Sequence, residues 1–396
     1  MKTPNAERLH IGIFGKRNSG KSSLINALTG QDTAIVSATP GTTADPVAKP
    51  MEVRGVGAVN FIDTAGFDDD GELGRLRVAR TEGAAERCDM AIVVFDSTKE
   101  DYDPEFAWVA KLRRKNIPVL LVLNKADIGP KLEKSKQQIE LETGIAPLTV
   151  SALTGQGKDE ILAALAPLVP TGFGERTITG DLCGEGDVVM LVMPQDSGAP
   201  KGRLILPQVQ VTRELLDKKC VVVSVTAEKM PVALAALKDS PKLIITDSQA
   251  FAAVYAYKPH DSVLTSFSIL FAAYKGDIER YFKGAQAIDS LNGRSKVLIA
   301  EACTHAPVSE DIGRKKIPTI LRRKAGESIQ IDVVSGSDFP EDLTGYDLVI
   351  HCGGCMFSRQ HILNRLQRAV EQKVPITNYG LFLAKMNGIL EKVYIQ

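Results

Sequence analysis

The sequence predicts an α/β protein in which a phosphate-loop domain is followed by two further α/β domains. Three observations predict it. Short, wholly apolar runs alternate with longer amphipathic stretches along the whole chain, a glycine-rich loop directly follows the first run, and a Pro/Gly-rich break at 167–174 separates the first set of runs from the rest. Such runs, with no polar alternation, read as strands buried on both faces, the condition of a parallel sheet covered by helices. At 396 residues the chain has room for two or three domains of roughly 150 residues each. With 44% hydrophobic and 24% charged residues it is neither disordered, collagen-like nor a coiled coil. Lys+Arg and Asp+Glu both number 48, so the chain as a whole lacks the attraction that drives non-specific nucleic-acid binding.

The first domain is expected over 1–172, with strands at 11–14, 58–62, 90–95, 118–123 and 148–150, ending at the break, which reads as a linker. A second is expected over 173–267, with strands at 188–193, 220–225 and 243–246 and helices at 208–218 and 232–238. The third, 268–396, has strands at 296–300, 329–334 and 347–350 and a helix at 358–372. The most apolar segment, 263–274, is interrupted by Thr265, Ser266 and Ser268 and falls short of the roughly 20 apolar residues that cross a membrane. The first eight residues are polar and no signal-peptide core follows, so a cytoplasmic protein with no membrane association is expected. In that compartment the six cysteines, at 88, 183, 220, 303, 352 and 355, are thiols, and a cluster among them points to metal or redox chemistry.

Residues 15–22 read G-x-x-x-x-G-K-S between a strand and a helix, the context a phosphate loop requires. Gly15 and Gly20 let backbone N–H groups turn toward phosphates, and Asn18, Ser19 and Ser23 complete the cradle. Lys21 is expected to reach the β/γ-phosphates and Ser22 to ligate Mg²⁺. Asp63-Thr64-Ala65-Gly66 ends a strand, where Asp63 holds the Mg²⁺ shell and the Gly66 N–H meets the γ-phosphate. Asn124-Lys125-Ala126-Asp127 ends another, and the Asp127 carboxylate matches the ring N–H and exocyclic amine of guanine, whereas adenine leaves it unpaired. Ser151-Ala152-Leu153 is expected to offer a backbone N–H to the guanine carbonyl oxygen. Four such elements in order define a GTPase domain binding GTP and GDP.

This segment resembles the GTPases of ribosome assembly and tRNA modification. On that resemblance Pro40-Gly41-Thr42-Thr43 is the first switch, with Thr42 or Thr43 sensing Mg²⁺ and γ-phosphate. Asn18 stands where potassium-dependent members place a K⁺-ligating asparagine, which implies K⁺-stimulated hydrolysis. Phe67 occupies the place where a Ras-like enzyme orients its attacking water with glutamine, so slow intrinsic hydrolysis is expected.

Cys303-Thr304-His305 and His351-Cys352-Gly353-Gly354-Cys355 each follow a predicted strand and so reach one edge of a parallel sheet. Three thiolates with His305 and His351 suit zinc, or a [4Fe–4S] cluster with one iron left open. Cys88, Cys183 and Cys220 lack partners at ligand spacing. The basic residues Arg314, Lys315, Lys316, Arg322, Arg323 and Lys324 form either a solvated helix face or a steering patch for an anion.

A GTPase domain followed by C-x-H and H-C-x-x-C resembles the HydF family of [FeFe]-hydrogenase maturation GTPases over nearly the whole chain. The resemblance implies a middle dimerisation domain, a homodimer, and a C-terminal [4Fe–4S] domain with Cys303, Cys352 and Cys355 as ligands, while His305 and His351 are ligands or lie behind them. It implies a scaffold that receives a transient di-iron precursor made with the radical-SAM maturases HydE and HydG and passes it to apo-[FeFe]-hydrogenase, with no nucleic-acid partner. The alternative is a tRNA-modification or ribosome-assembly GTPase with a structural zinc. The apolar 188–193 and 251–257 segments, or an exposed sheet edge, are the expected dimer surfaces.

Overall fold

The computed structural model describes residues 4–30, 47–67, 72–174, 176–194, 204–302, 312–336 and 338–394. Two compact units are present, 1–174 and 175–396. In the first, the predicted strands form around the phosphate loop: β1 (Leu9–Phe14), α1 (Lys21–Thr29), β2 (Val47–Val53), β3 (Gly57–Asp63), α2 (Glu72–Ala85), β4 (Met90–Asp96), α3 (Asp103–Arg114), β5 (Val119–Asn124), α4 (Leu132–Thr143), β6 (Leu148–Thr149) and α5 (Lys158–Leu165). The sheet order is β2-β3-β1-β4-β5-β6. Strands β1, β4 and β5 are buried along their whole length, which explains their uninterrupted apolar sequences. Strand β2 is an addition to the expected set and pairs antiparallel with β3. Its Lys49, Pro50 and Glu52 obscure any apolar run, and Pro50 is tolerated because β2 is an edge strand.

The second unit contains β7 (Val188–Val192), α6 (Leu206–Asp217), β8 (Val221–Val225), α7 (Met230–Ala236), β9 (Leu243–Thr246), α8 (Phe251–Tyr257), β10 (Val263–Ser266), α9 (Phe267–Lys275) and α10 (Ile278–Gln286). It continues with β11 (Lys296–Glu301), α11 (Ile317–Ala325), β12 (Gln330–Ser335), β13 (Leu348–His351), α12 (Arg359–Glu371), β14 (Ile376–Asn378) and α13 (Tyr379–Met386). Two four-stranded parallel sheets result, β10-β9-β7-β8 and β12-β11-β13-β14.

The segments expected as separate domains, 173–267 and 268–396, each hold one sheet and pack together within one compact unit. Helix α9 is the reason: it touches α6 beside the first of these sheets and α12 and α13 beside the second. One apolar core runs through both, joining Met190, Ile244 and Leu264 to Ile299, Ile350 and Leu381. One of the expected dimer surfaces, 188–193, needs correction. Strand β7 lies between β8 and β9 with Val189 to Val192 buried, so it is core, whereas α8 buries Phe251 and Val254 on one side and leaves Ala252, Ala253, Ala256 and Tyr257 exposed on the other. The edge of β10 receives the C-terminal segment, where the Tyr394 N–H donates to Leu264 O at 2.8 Å. Strand β8 is the opposite edge, and its Val221 is 52% exposed.

Gly284 on α10 shows how tightly these layers meet, because a Cβ there would collide with the backbone of Ile376 in β14. Replacing Gly284 with Ala is expected to destabilise the second unit by about 1–3 kcal/mol, as overpacking of a closed core does. Urea unfolding followed by far-UV circular dichroism measures this.

Candidate functional site

The nucleotide site is assembled at the carboxyl edge of the first sheet. Gly20 precedes α1 in the left-handed region (φ 91°), and a Cβ there would collide with Asn124 Nδ2, so glycine is required twice over. Asn124 ends β5 and ties two loops together. Its Nδ2 donates to Ser19 O at 2.9 Å, and its Oδ1 accepts the Ala152 N–H at 3.0 Å. The Ala152 N–H is therefore engaged by Asn124. The Ser151 hydroxyl donates to Asp127 Oδ1 at 2.6 Å and aims the carboxylate. Lys125, in a left-handed conformation (φ 64°), pairs with Asp96 at 2.6 Å. Burial works to raise Asp96, but hydrogen bonds from Lys125 and Thr98 outweigh it and hold the carboxyl below its ordinary value.

Lys21 folds over the loop, donating to Gly15 O at 2.9 Å and Lys16 O at 2.8 Å. These are interactions that phosphate oxygens are suited to replace. Ser22 Oγ donates to Asp63 Oδ2 at 2.6 Å, while Asp63 Oδ1 is buried with no hydrogen-bond partner among the described residues. Burial raises the Asp63 carboxyl, against the opposing Ser22 hydrogen bond and the charges of Lys21 and Lys49. A desolvated carboxylate with a spare oxygen beside a serine hydroxyl fits Mg²⁺. Gly66 follows at the same edge, buried, and Ser23 lies in the first turn of α1. Asn18 takes a left-handed conformation, φ 60°. Phe67 stacks on Trp108 with ring centroids 5.3 Å apart, so an apolar contact holds the position where a water-orienting side chain would stand. Thr42 and Thr43 lie outside the described residues.

The cysteine site lies at the carboxyl edge of the last sheet, where β11 and β13 run side by side with Ala300 opposite His351. Cys303 and His305 lie outside the described residues. Among the described residues no three His, Cys, Asp or Glu side chains converge on a point. Cys352 and Cys355 are brought together: Gly354 turns the loop at φ 63°, and Cys352 Sγ accepts N–H groups from Ala302 at 3.0 Å and Gly354 at 3.4 Å. Burial pushes the Cys352 thiol up to about 11, partly opposed by those donors. A sulfur with two backbone donors, at a turn that offers a second cysteine, fits a metal-bound thiolate, whose charge those donors stabilise.

His351 has both ring nitrogens engaged. Nδ1 donates to Cys352 O at 2.7 Å and Nε2 meets Arg365 Nη1 at 3.0 Å, so the ring braces the loop from behind. Burial, then the Arg365 charge, lowers His351 to about 3, and the imidazole is neutral throughout the physiological range. Arg365 is itself buried between the rings of Phe339 and Phe357, at 4.8 and 4.6 Å, and donates to Gly336 O. Lys275, from α9, donates to three carbonyls of the same loop. No ligand spacing marks Lys275 or Arg365; a charge ending the apolar 263–274 run was the one available signal. Within the basic stretch, Arg314 pairs with Glu301 at 3.2 Å and Lys316 donates to Gln249 at 2.6 Å, whereas Arg322, Arg323 and Lys324 are exposed. Cys88 is buried in the first unit, and Cys183 and Cys220 are buried neighbours in the second.

These geometries define the first unit as a P-loop GTPase domain, and residues 10–125 match the family model "50S ribosome-binding GTPase". Residues 178–276 match the hydrogen maturase F dimerization domain and 279–395 the hydrogen maturase F tetramerization domain, together more than half of the chain. The chain belongs to the hydrogen maturase F family. The tRNA modification GTPase MnmE of Synechococcus sp. is 38% identical over 164 residues, 41% of this chain and 34% of that protein. MnmE of Roseiflexus sp. is 39% identical over 178 residues, 42% of this chain and 38% of that protein. The chain thus spans about a third of the length of these curated relatives. The structure of Aquifex aeolicus Era is matched at 22% identity over 58% of this chain and 98% of that one, with a TM-score of 0.37. No helix among the described residues is long and apolar enough to cross a membrane.

Replacing Asn124 with Ala removes a side chain that joins the Gly20 and Ala152 loops. The buried Ser19 carbonyl and the half-buried Ala152 N–H are left unsatisfied, so the first unit is expected to lose about 1–3 kcal/mol of stability, and GDP affinity falls at least tenfold. Thermal unfolding and binding of a fluorescent GDP measure the two effects.

Proposed function

We propose that the chain is a GTP-hydrolysing scaffold of [FeFe]-hydrogenase maturation that carries a [4Fe–4S] cluster on Cys303, Cys352 and Cys355. The observation that carries this reading is the Cys352 sulfur, held by two backbone N–H groups at the carboxyl edge, in a segment matching hydrogen maturase F. Cys303 directly follows Ala302, whose N–H is one of those donors. A cluster on three protein thiolates leaves one iron with a replaceable ligand, an attachment point for a di-iron precursor. The chain's own residues shape that position: Gly354 turns the loop, and His351, kept neutral by burial and Arg365, braces it without competing as a base.

The partners follow from the family. HydE and HydG supply the precursor, and apo-[FeFe]-hydrogenase accepts the di-iron subcluster. Two chains pair through the middle sheet, where the β8 edge offers backbone groups and exposed Val221. In the GTPase domain Lys21 exchanges its carbonyl contacts for β/γ-phosphate oxygens, and Ser22 and Asp63 hold Mg²⁺. Asp127 selects guanine. With Phe67 stacked on Trp108 no side chain there orients water, so turnover is slow. K⁺ beside Asn18 supplies the missing positive charge to the transition state. Hydrolysis gates association, with Thr42 or Thr43 ordered by the γ-phosphate and released afterwards.

Two measurements test this reading. Anaerobic reconstitution is expected to give brown protein with about four iron and four sulfide per chain and a band near ~400 nm. Cys303→Ala, Cys352→Ala and Cys355→Ala each abolish it; stoichiometric, colourless zinc would sink the cluster assignment. GTP turnover is expected to rise at least tenfold in K⁺ over Na⁺, and Asn18→Ala removes the difference. Equal rates in the two salts for the unaltered protein exclude the K⁺ site.

A further inference from the structure

Lys275 ends α9 and is 2% exposed, an unusual place for an ammonium group. Burying that charge is costly unless its donors are met. Its Nζ donates to Phe357 O at 2.6 Å, Cys355 O at 3.1 Å and Gly354 O at 3.2 Å. An ammonium has three donors, and all three of these acceptors belong to the turn carrying Cys352 and Cys355. Helix α9 comes from the segment that matches the dimerization domain, whereas the turn belongs to the segment that matches the tetramerization domain. The opposite end of α9 is bonded to the last segment as well: Asn378 Nδ2 donates to Ser268 O at 2.8 Å, and Gly380 N–H to Ser268 Oγ at 3.2 Å. Cys355 itself packs against the apolar cluster of the middle sheet.

We propose that Lys275 is the positioning residue of the cysteine turn. Its ammonium fixes the carbonyls of Gly354, Cys355 and Phe357, sets the backbone from which both cysteines project, and places a fixed positive charge beside the metal centre. The part concerning the centre rests on the cysteines being cluster ligands; the clamp on the turn exists with or without metal. A flexible turn would have to be ordered at each loading of metal, and the clamp removes that cost. The fixed charge also favours the more negative, reduced state of a bound cluster.

The test uses full-length Lys275→Met, Lys275→Gln and Lys275→Arg. In metal-free protein, hydrogen exchange of the 352–357 amides and alkylation of Cys355, both read by mass spectrometry, are expected to accelerate at least tenfold in the Met and Gln variants. After anaerobic reconstitution, iron loss to a chelator accelerates about tenfold or more and the cluster midpoint potential becomes more negative, while Arg restores both toward the original values. GTP turnover of the isolated variants stays unchanged and reports intact folding of the first unit. If Met does not fold, Gln, which keeps two N–H donors, decides. Folded variants with the original exchange, alkylation and midpoint potential overturn the proposal. An unaltered protein that takes up no iron overturns the cluster reading alone, because exchange and alkylation still decide the clamp.

Discussion

Parallel strands deliver their last residues to the same edge of a sheet, and the phosphate loop, the guanine-facing residues and the cysteine turn of this chain all follow such ends. In the first unit the ends of β1, β3, β5 and β6 bring Lys21, Asp63, Asn124 and Ser151 into one site from positions far apart in sequence. In the last sheet the order β12-β11-β13-β14 places the switch in strand order between β11 and β13, where an open α/β sheet leaves a crevice. Alignment of strands brings residues near one another, and single side chains then set their orientation. Asn124 holds two loops in one unit, and Lys275 holds the cysteine turn in the other.

The two sites have opposite electrostatic character. The nucleotide site holds a buried carboxylate, Asp63, with a spare oxygen suited to a cation, together with N–H groups and Lys21 suited to an anion. The cysteine turn is bordered by two buried cations, Lys275 and Arg365, and by backbone N–H groups on Cys352. These groups partly oppose the burial that keeps the metal-free Cys352 a neutral thiol, and they stabilise the negative charge of a thiolate bound to metal. A chain with zero formal net charge therefore contains sites of strong local field, and its bulk balance says nothing about them.

Helix α9 gives the second unit its unity. Its sequence is the most apolar in the chain, yet too short and interrupted to cross a membrane. It is core because two sheets lie against it, and the helix carries Ser268 and Lys275 to polar groups of the later segment. Burial converts β7 from candidate interface into interior, while β8 stays an open edge and α8 keeps an exposed face that includes Tyr257.

Much of this was legible in the sequence for a physical reason: strands buried on both faces must be apolar, and phosphate loops need glycine, lysine and serine at fixed spacing because a backbone cradle has one geometry. The strands carrying the sites, the P-loop, Asp63, Asn124, Asp127 and the paired Cys352 and Cys355 were determined at that level. Strand β2 escaped because an edge strand tolerates Pro50 and charge, and its pairing with β3 replaces an apolar pattern. The packing of the two later sheets against α9, the bracing role of His351, and the burial of Lys275 and Arg365 were decided by tertiary structure alone. A buried charge is specified by what surrounds it, and its partners lie 79 to 82 residues away for Lys275, beyond any local pattern.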